Sequence, residues 1–295
     1  MKTKSFIIVA LLALMFFSGN NAIAQVDTTK ITSSKIYIIT TYDGGEFIGK
    51  IILQDAKEVL IETKDRGQVS IPKYQIKEMK EVKSGEFSAS GEYMPEQIFA
   101  TRYFITTNGL PISKGESYLL LNLYGPEFQF GVGENFGVGI MTSWLGMPLI
   151  GTAKYSIELS EKTNLGIGTL LGTGSWAKPD FGLALPFAVL TFGDRRNNIN
   201  FSGGYGAIWS NGDSEGNALF SIAGMAKVGK NISLVFDSFI MPNLGGNNTG
   251  FALLIPGIRI QEKSNKAFQF GFAGLVVDGD LMPFPIPMIQ WYKKF

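Results

Sequence analysis

The chain of 295 residues contains no histidine and no cysteine, which removes most of the side chains that enzymes use as bases, nucleophiles and metal ligands. Ser–His triads, thiolate nucleophiles, disulfides and zinc–cysteine sites are therefore excluded. A serine with a lysine base, or a pair of carboxylates, remains formally possible. We predict that the protein is not an enzyme and that it has no catalytic residue, cofactor or metal.

Two closely spaced acidic pairs are the remaining candidates for cation chemistry. Asp213 and Glu215 are separated by one residue, and so are Asp278 and Asp280. Carboxylates at this spacing could bind calcium. Acidic pairs in glycine-containing breaks are more often solvated loop charges, and we favour that interpretation.

Four charged residues lie inside stretches that otherwise carry few charges: Arg102, Glu127, Lys154 and Asp237. What they could do depends on the face of the structural element that each one occupies. The elements must therefore be identified first.

The charge density divides the chain near residue 96. Residues 25–96 contain 10 basic and 12 acidic residues, whereas residues 97–295 contain 14 and 13 in a segment almost three times as long. Of the 36 glycines, 29 follow residue 96. This change predicts two domains in different solvents. The net charge of +1 gives no reason to expect a nucleic acid partner.

The first 24 residues have the pattern of a secretory signal peptide. Lys2 and Lys4 precede an apolar run over residues 6–17, and small residues follow at Ala22 and Ala24. The run is too short to span a bilayer. We predict cleavage after Ala24 and export of the mature chain.

Residues 25–82 predict a small β domain of five strands, and residues 83–96 predict a linker. The motif Tyr42-Asp43-Gly44, followed by Phe47, Gly49 and Ile51 and then by 59–61, resembles the Sm-like or SH3-like small barrels. Sm-like proteins often bind RNA. Because this segment is exported and slightly acidic, we favour a periplasmic spacer or interaction domain with a protein partner.

Residues 97–295 show repeated alternation of large apolar with small or polar residues. Phe268, Phe270 and Phe272, for example, alternate with Gln269 and Gly271. Between residues 181 and 192 we place the large residues on the lipid face: Phe181, Leu183, Leu185, Phe187 and Val189. A soluble sandwich or lipocalin-like barrel also alternates. The bulk of the large face, and the concentration of charges in the breaks, favour an antiparallel transmembrane β-barrel.

The breaks between these segments alternate between two classes. Short polar breaks occur at 133–135, 160–163, 193–197, 229–230 and 262–265, and longer ones at 145–148, 175–180, 210–216, 242–248 and 278–283. Outer-membrane barrels have short periplasmic turns and longer outer loops. These breaks connect 11 strands from Ser117 onward. Residues 97–108 supply a twelfth strand, and residues 109–115 a sixth outer loop. Pro126 could split the segment 117–132, and ten strands is the alternative.

Strand parity places Glu127, Lys154 and Asp237 toward the lumen, with Arg102 opposite apolar neighbours in the first strand. Arg259 lies near a periplasmic end, where it could extend to the interface. One interpretation is a lumen eyelet or binding site. The other, which we favour slightly, is a set of buried ion pairs that plugs a narrow barrel. Large residues on the inferred lumen face argue against a wide aqueous pore: Phe239, Phe251 and Leu253.

The chain ends with Trp291-Tyr292-Lys293-Lys294-Phe295. A terminal phenylalanine after an alternating strand resembles the assembly signal of Gram-negative outer-membrane proteins, although that pattern usually has an apolar residue where Lys293 stands. Residues 97–295 as a whole resemble the uncharacterised outer-membrane β-barrels of these bacteria. The resemblance implies outer-membrane lipid and lipopolysaccharide as surroundings, and the barrel assembly machinery as a partner through Trp291 and Phe295.

The resemblance to outer-membrane barrels leaves two functions open. The first is a narrow passive pore or small-solute transporter of the outer membrane. The alternative is a non-transporting barrel that anchors the N-terminal domain in the periplasm. Barrel enzymes that depend on a catalytic histidine are excluded because the chain has none.

Overall fold

A computed structural model describes residues 35–82, 86–87, 93–175, 178–242, 250–263, 265–282 and 285–295. These residues form two compact units that divide between Met94 and Pro95. The predicted signal peptide and part of the predicted linker lie outside the described residues, as do parts of three predicted outer loops. No helix among the described residues is long and apolar enough to cross a membrane.

The first unit is a five-stranded antiparallel sheet, as the sequence predicts. Its strands are β1 (Ile36–Thr41), β2 (Glu46–Gln54), β3 (Glu58–Thr63), β4 (Gly67–Pro72) and β5 (Ile76–Val82), in the order β4-β3-β2-β1-β5. One 3-10 turn, Lys73–Gln75, precedes β5. Alternate residues of β1, β3 and β4 form the core: Ile39, Val59, Ile61 and Ile71.

The core of this unit supports a prediction. Ile61 is fully buried, so Ile61→Ala should destabilise the unit by about 2–5 kcal/mol. Hydrogen exchange followed by mass spectrometry should show faster exchange across β1–β4 and unchanged exchange in the barrel strands. Ile52→Ala, at a position 46% exposed, is the matched control and should have little effect. Faster exchange in both units would contradict the prediction that the two units have independent cores.

The second unit is a closed antiparallel barrel of twelve strands. The wall is formed by β6 (Ser117–Asn122), β7 (Pro126–Gly131), β8 (Phe136–Thr142), β9 (Leu149–Ser160), β10 (Thr163–Ser175), β11 (Lys178–Gly193), β12 (Asn197–Ser210), β13 (Asp213–Lys227), β14 (Ile232–Met241), β15 (Phe251–Lys263), β16 (Lys266–Val277) and β18 (Ile286–Lys294). A two-residue strand, β17 (Asp280–Leu281), extends β16. The last strand pairs with the first, so the wall has no free edge.

The predicted number of strands is correct, but the first strand was assigned wrongly. Residues 97–108 are not part of the wall, and residues 109–115 are not an outer loop. Instead, the segment 117–132 forms both β6 and β7. Asn122 and Gly125 exchange backbone hydrogen bonds of 3.0 and 3.2 Å across the turn before Pro126, which lacks an N–H group. The alternative of ten strands is wrong for the same reason.

The connections between strands group at the two ends of the barrel. We call one end the turn end, where the connections are 132–135, 161–162, 194–196, 228–231 and 264–265. All five predicted short breaks fall there. We call the other the loop end, with connections at 123–125, 143–148, 176–177, 211–212, 242–250 and 278–285. The barrel begins and finishes at the turn end, where Phe295 N–H donates to Ser117 O at 3.2 Å.

The outer surface carries large apolar side chains, and the lumen face is buried. Phe201, Tyr205 and Phe272 are 46–55% exposed, whereas Gln269 and Ala273 are fully buried. This arrangement confirms the predicted faces of β12 and β16. In water such a surface would be unfavourable, but hydrocarbon solvates it, and closure pairs the strand backbones.

The predicted faces of β11 are inverted. Val189 is 1% exposed, and Phe187 pairs with Gly168 of β10 and Gly204 of β12 on the inner face. A Cβ atom at Gly168 would lie 2.5 Å from the Phe187 ring, so the small neighbour makes room for the aromatic side chain. We assigned large residues to lipid, and this rule fails where the neighbouring strands present glycine to the lumen.

Candidate functional site: the filled lumen

Residues 95–116, which we call the plug, lie inside the turn-end half of the barrel. The plug enters at the turn end, reverses between Tyr103 and Thr106, and returns. Tyr103 N–H donates to Thr106 O at 3.0 Å, and Asn108 N–H donates to Thr101 O at 3.4 Å. The plug is therefore a hairpin-like re-entrant segment, not a wall strand.

Apolar packing explains why this segment lies inside the barrel. Phe99, Tyr103 and Phe104 are fully buried, and they join wall residues in two clusters. Phe104 packs on the wall at two glycines, Gly257 and Gly271. A Cβ atom at either position would lie 2.5 or 2.6 Å from the Phe104 ring, so only glycine admits the ring without displacement. Phe99 and Tyr103, which a wall strand at 97–108 would point toward lipid, face a protein core instead.

The plug's backbone poses a separate problem, because between residues 99 and 111 it makes no described backbone hydrogen bond to a wall strand. Buried backbone groups without partners are costly. The wall supplies partners through side chains, and the charged residues of the lumen supply several of them.

Arg259 on β15 binds the inward leg of the plug. Its side chain is fully buried and donates to Phe99 O and Arg102 O, both at 2.5 Å. Its Nε atom donates to Gln269 Oε1 at 2.6 Å, and the guanidinium lies 4.6 Å from the centre of the Tyr292 ring. The expectation that Arg259 extends to the periplasmic interface was wrong, because its side chain points into the barrel and hydrogen-bonds to carbonyl groups of the plug.

Asp237 on β14 binds the reversal of the plug. Its carboxylate accepts hydrogen bonds from Ile105 N–H at 2.6 Å, Thr106 N–H at 2.9 Å and Thr106 Oγ1 at 2.6 Å. The side chain is fully buried. A carboxylate suits this position because the tight turn points two N–H groups at the wall.

Lys154 on β9 binds the outward leg of the plug. Its Nζ atom donates to Asn108 O at 2.7 Å and Leu110 O at 2.9 Å, with Thr107 Oγ1 at 3.3 Å. Uncharged wall residues add to the same leg. Thr191 Oγ1 accepts from Gly109 N–H at 2.8 Å.

Arg102 and Glu127 form a buried ion pair between plug and wall. Arg102 Nη2 and Glu127 Oε2 are 2.7 Å apart, and both side chains are nearly inaccessible to solvent. Arg102 was expected on a wall strand, and it lies on the plug. The four predicted lumen charges therefore come together around one segment: three on the wall and one on the plug.

Two further ion pairs lie where the plug meets the turn end. Arg195 Nη2 is 2.8 Å from Glu116 Oε2, and Arg196 Nη1 is 3.5 Å from Glu96 Oε1. Burial lowers the pKa of Arg195, but the hydrogen bond and charge of Glu116 outweigh it and raise that pKa. The sequence pattern placed these two arginines in a polar turn between strands. That they are adjacent was the available sign of a role in ion pairing, and the sequence analysis did not use it.

A ladder of polar side chains completes the site. Gln269 donates to Gln290 Oε1 at 2.8 Å, and Gln290 donates to Asn122 Oδ1 at 2.5 Å and Phe104 O at 2.7 Å. Tyr292 OH donates to Tyr103 O at 2.9 Å. The alternation of polar residues on β16 and β18 predicts that they face inward, but nothing local to these strands indicates what they bind.

The loop-end half of the lumen has a different character. A cavity of about 120 Å³ lies above the plug's reversal. Phe239 lines it, as its predicted lumen position requires, together with Leu170, Leu185 and Leu219. The lumen is thus divided into a filled half with polar contacts and a half with apolar walls.

The acidic pairs and the C-terminus do not take part in this site. Asp213 and Glu215 are exposed, and Asp278 accepts a hydrogen bond from Gly250 N–H at 3.1 Å. The described residues contain no group of three carboxylates that could hold a metal. Trp291 and Phe295 are exposed on the outer surface, and their role in assembly stays a prediction.

A closed barrel with an apolar outer surface and a buried polar lumen is the architecture of transmembrane β-barrels of outer-membrane type. No known protein family matches the chain, and no curated protein matches it in sequence. Similar solved structures include the NanC porin, which covers 61% of this chain and 98% of its own (TM-score 0.42); the CymD monoaromatic hydrocarbon channel, at 88% and 87% (0.36); and outer-membrane OmpT of Vibrio cholerae, at 88% and 95% (0.38). Each is 10% identical to this chain.

The prediction that the protein is not an enzyme was wrong as a general conclusion. The similar structures include two forms of OmpT, at 10% identity and TM-scores of 0.38 and 0.36. The absence of histidine excludes only mechanisms that need an imidazole. It has no bearing on chemistry that uses other side chains.

Proposed function

We propose that the protein is an outer-membrane small-solute transporter whose lumen is closed at rest and opens when the plug moves. The observation that carries this proposal is how the plug is held. Between residues 99 and 111, the described backbone of the plug hydrogen-bonds to side chains of the wall and not to the backbone of a wall strand. Movement of the plug therefore breaks side-chain hydrogen bonds and leaves the wall's strand pairing intact.

The charges of the lumen support a closed barrel over an open eyelet. In an eyelet, charged side chains surround water and select passing ions. Here Asp237, Lys154 and Arg259 each bind at least two backbone atoms of the plug. A passive pore that is always open does not fit this arrangement, so the transporter is gated.

The orientation of the barrel is part of the same proposal. The turn end and residues 25–82 would lie in the periplasm, because outer-membrane barrels place their short turns there. A periplasmic protein would be the partner of the small β domain. The C-terminal strand would be the segment that the barrel assembly machinery recognises.

The test compares the intact protein with a variant in which a Gly-Ser linker replaces residues 97–112. In planar bilayers the intact protein should be closed for most of the time, and the variant should conduct continuously. A twelve-stranded wall without its plug leaves an open lumen, so conductance should rise roughly tenfold or more. The replacement keeps Glu116, Arg195 and all wall strands. Heat-modifiable migration on gels controls for barrel folding.

A closed lumen in a correctly folded variant would sink the transporter proposal. In that case the barrel would be the non-transporting anchor of the N-terminal domain. Deletion of residues 25–82 separates these functions. A transporter should keep its conductance properties without the domain, whereas an anchor should lose the protein partners that the full chain retains.

A further inference from the structure

The cavity at the loop-end half of the lumen has the size of a site for one small molecule. Its volume is about 120 Å³, and an apolar cavity of about 150 Å³ is large enough to bind benzene. Its floor is the reversal of the plug, with Ile105, Thr106 and Thr107. A molecule in the cavity would therefore rest on the turn that Asp237 holds.

The walls of this cavity are apolar on the side formed by β10–β14. They carry Leu170, Leu185, Phe187, Leu219 and Phe239. Two of these side chains, Leu185 and Phe187, come from the inverted strand β11. An aqueous channel normally has a polar interior. This half of the lumen is instead suited to a molecule that avoids water.

The two cations at the edge of the cavity already have oxygen partners, and only Arg102 Nε lacks one among the residues that the structure describes. Lys154 Nζ contacts three oxygen atoms of the plug, and Arg102 is paired with Glu127. Binding an ionic ligand here would require breaking these contacts. The lining therefore favours an uncharged molecule.

One hydroxyl in the lining lacks a partner. Ser221 on β13 is 4% exposed, and its Oγ atom has no hydrogen-bond partner among the residues that the structure describes. A buried hydroxyl without a partner is unfavourable. A single polar group on a bound molecule would satisfy it.

We propose that the loop-end cavity binds an uncharged, mainly aromatic small molecule that carries one hydroxyl or carbonyl group. The apolar body lies against Leu185, Phe187 and Phe239, and the polar group hydrogen-bonds to Ser221. This proposal rests on the proposed function in one respect, since it identifies the class of solute that the transporter takes. Binding itself requires no movement of the plug.

The experiment uses photolabelling of the full-length protein in lipid nanodiscs with a phenyl-diazirine probe, with the labelled residues mapped by mass spectrometry. The probe should label lumen residues of β11 and, separately, lipid-facing residues. An excess of p-cresol should abolish the lumen labels and spare most lipid-facing ones. Leu170→Trp should remove the lumen labels by filling the cavity. Leu171→Trp, its neighbour on the lipid face at 55% exposure, is the matched control and should retain them.

Ser221→Ala tests the polar contact. It should weaken competition by p-cresol about fivefold, because one hydrogen bond is lost, and leave competition by toluene unchanged. Ser214→Ala, at an exposed position of the same strand, should change neither. Equal effects on both competitors would remove Ser221 from the proposal.

Three results would overturn the proposal as a whole. The first is the absence of lumen labels in the wild-type protein. The second is equal labelling of the Leu170→Trp and Leu171→Trp variants. The third is competition only by long-chain amphiphiles, which would identify the occupant as an acyl chain of lipid or detergent. Lumen labelling without gated conductance would preserve this binding site while the transporter proposal fails.

Discussion

Arg259→Ala should release the plug and expose it to protease. The substitution leaves two plug carbonyls, Gln269 and Tyr292 without their buried partner. A hydrogen bond made by a charged group contributes about 1.5–3 kcal/mol, so loss of the two bonds to the plug carbonyls should cost about 3 kcal/mol or more. Since about 1.4 kcal/mol is a factor of ten in an equilibrium, the released population should rise by roughly two to three orders of magnitude.

Trypsin provides the measurement, because Arg102 lies on the plug and is buried in the closed state. Cleavage after Arg102 follows the released population when release and return are faster than cleavage. Mass spectrometry should therefore detect the fragment that ends at Arg102 much sooner in Arg259→Ala. Arg259→Lys keeps the charge, but a lysine cannot bind both carbonyls as the planar guanidinium does. Its rate of cleavage after Arg102 should therefore lie between those of the wild-type protein and Arg259→Ala.

Lys293→Ala is the control for Arg259→Ala, since Lys293 is an exposed cation on the wall. Its cleavage at Arg102 should equal that of the wild-type protein. If Arg259→Ala also cleaved at the wild-type rate while remaining folded, the plug would not depend on Arg259. Apolar packing of Phe99 and Phe104 would then be the main source of its stability.

Asp237→Ala should open the lumen at the plug's reversal while the base of the plug stays in place. The carboxylate accepts three hydrogen bonds from Ile105 and Thr106, and its removal leaves two backbone N–H groups unpaired. Each hydrogen bond to a charged group contributes about 1.5–3 kcal/mol, so the loss should total several kcal/mol. The Glu116–Arg195 pair is unaffected.

Single-channel recording measures this second prediction. Discrete openings should become at least tenfold more frequent, in line with a loss of more than about 1.4 kcal/mol. Asp237→Asn keeps one acceptor oxygen but presents an amide N–H₂ group to donors, so it should also open the channel, to a smaller degree. Asp213→Asn, an exposed carboxylate at the loop end, is the matched control.

Openings at the wild-type frequency in Asp237→Ala would show that the turn is held by packing alone. Frequent openings in the Asp213→Asn control would point instead to a general effect of charge at the channel mouth. The two predictions are separable because Arg259 binds the inward leg and Asp237 binds the reversal. In the double variant, the total loss of free energy holding the plug closed should be smaller than the sum of the two single losses, since both residues hold one segment.

The alternation along the wall strands made the barrel predictable from sequence. Side chains of a strand point to opposite faces with a period of two, and this property is local. Phe268, Phe270 and Phe272 therefore revealed two faces of β16 without any knowledge of its neighbours. The alternating short and long breaks indicated eleven antiparallel strands from Ser117 onward. The count of twelve was correct, but its twelfth strand is the split of 117–132 into β6 and β7 and not the segment 97–108.

The face that points inward was less predictable, as β11 shows. Period two separates Phe187 and Val189 from Pro186 and Ala188 but does not say which set meets lipid. The neighbouring strands determine which set faces inward, because Gly168 and Gly204 leave space on the lumen side. Those glycines lie 19 and 17 residues away in the chain and become adjacent only through register.

The plug was the largest error of assignment, and its reason is physical. Residues 97–108 alternate as a wall strand does, with Phe99, Tyr103 and Ile105 among polar neighbours. Alternation reports that a segment has an apolar side, and a protein core satisfies that side as well as lipid does. The sequence by itself determined a closed barrel, its two ends and the inward charges Glu127, Lys154 and Asp237. Only the tertiary structure decided that these charges bind the plug inside the barrel. The hydrogen bond between Asp237 and Ile105, for example, joins residues 132 positions apart in the chain.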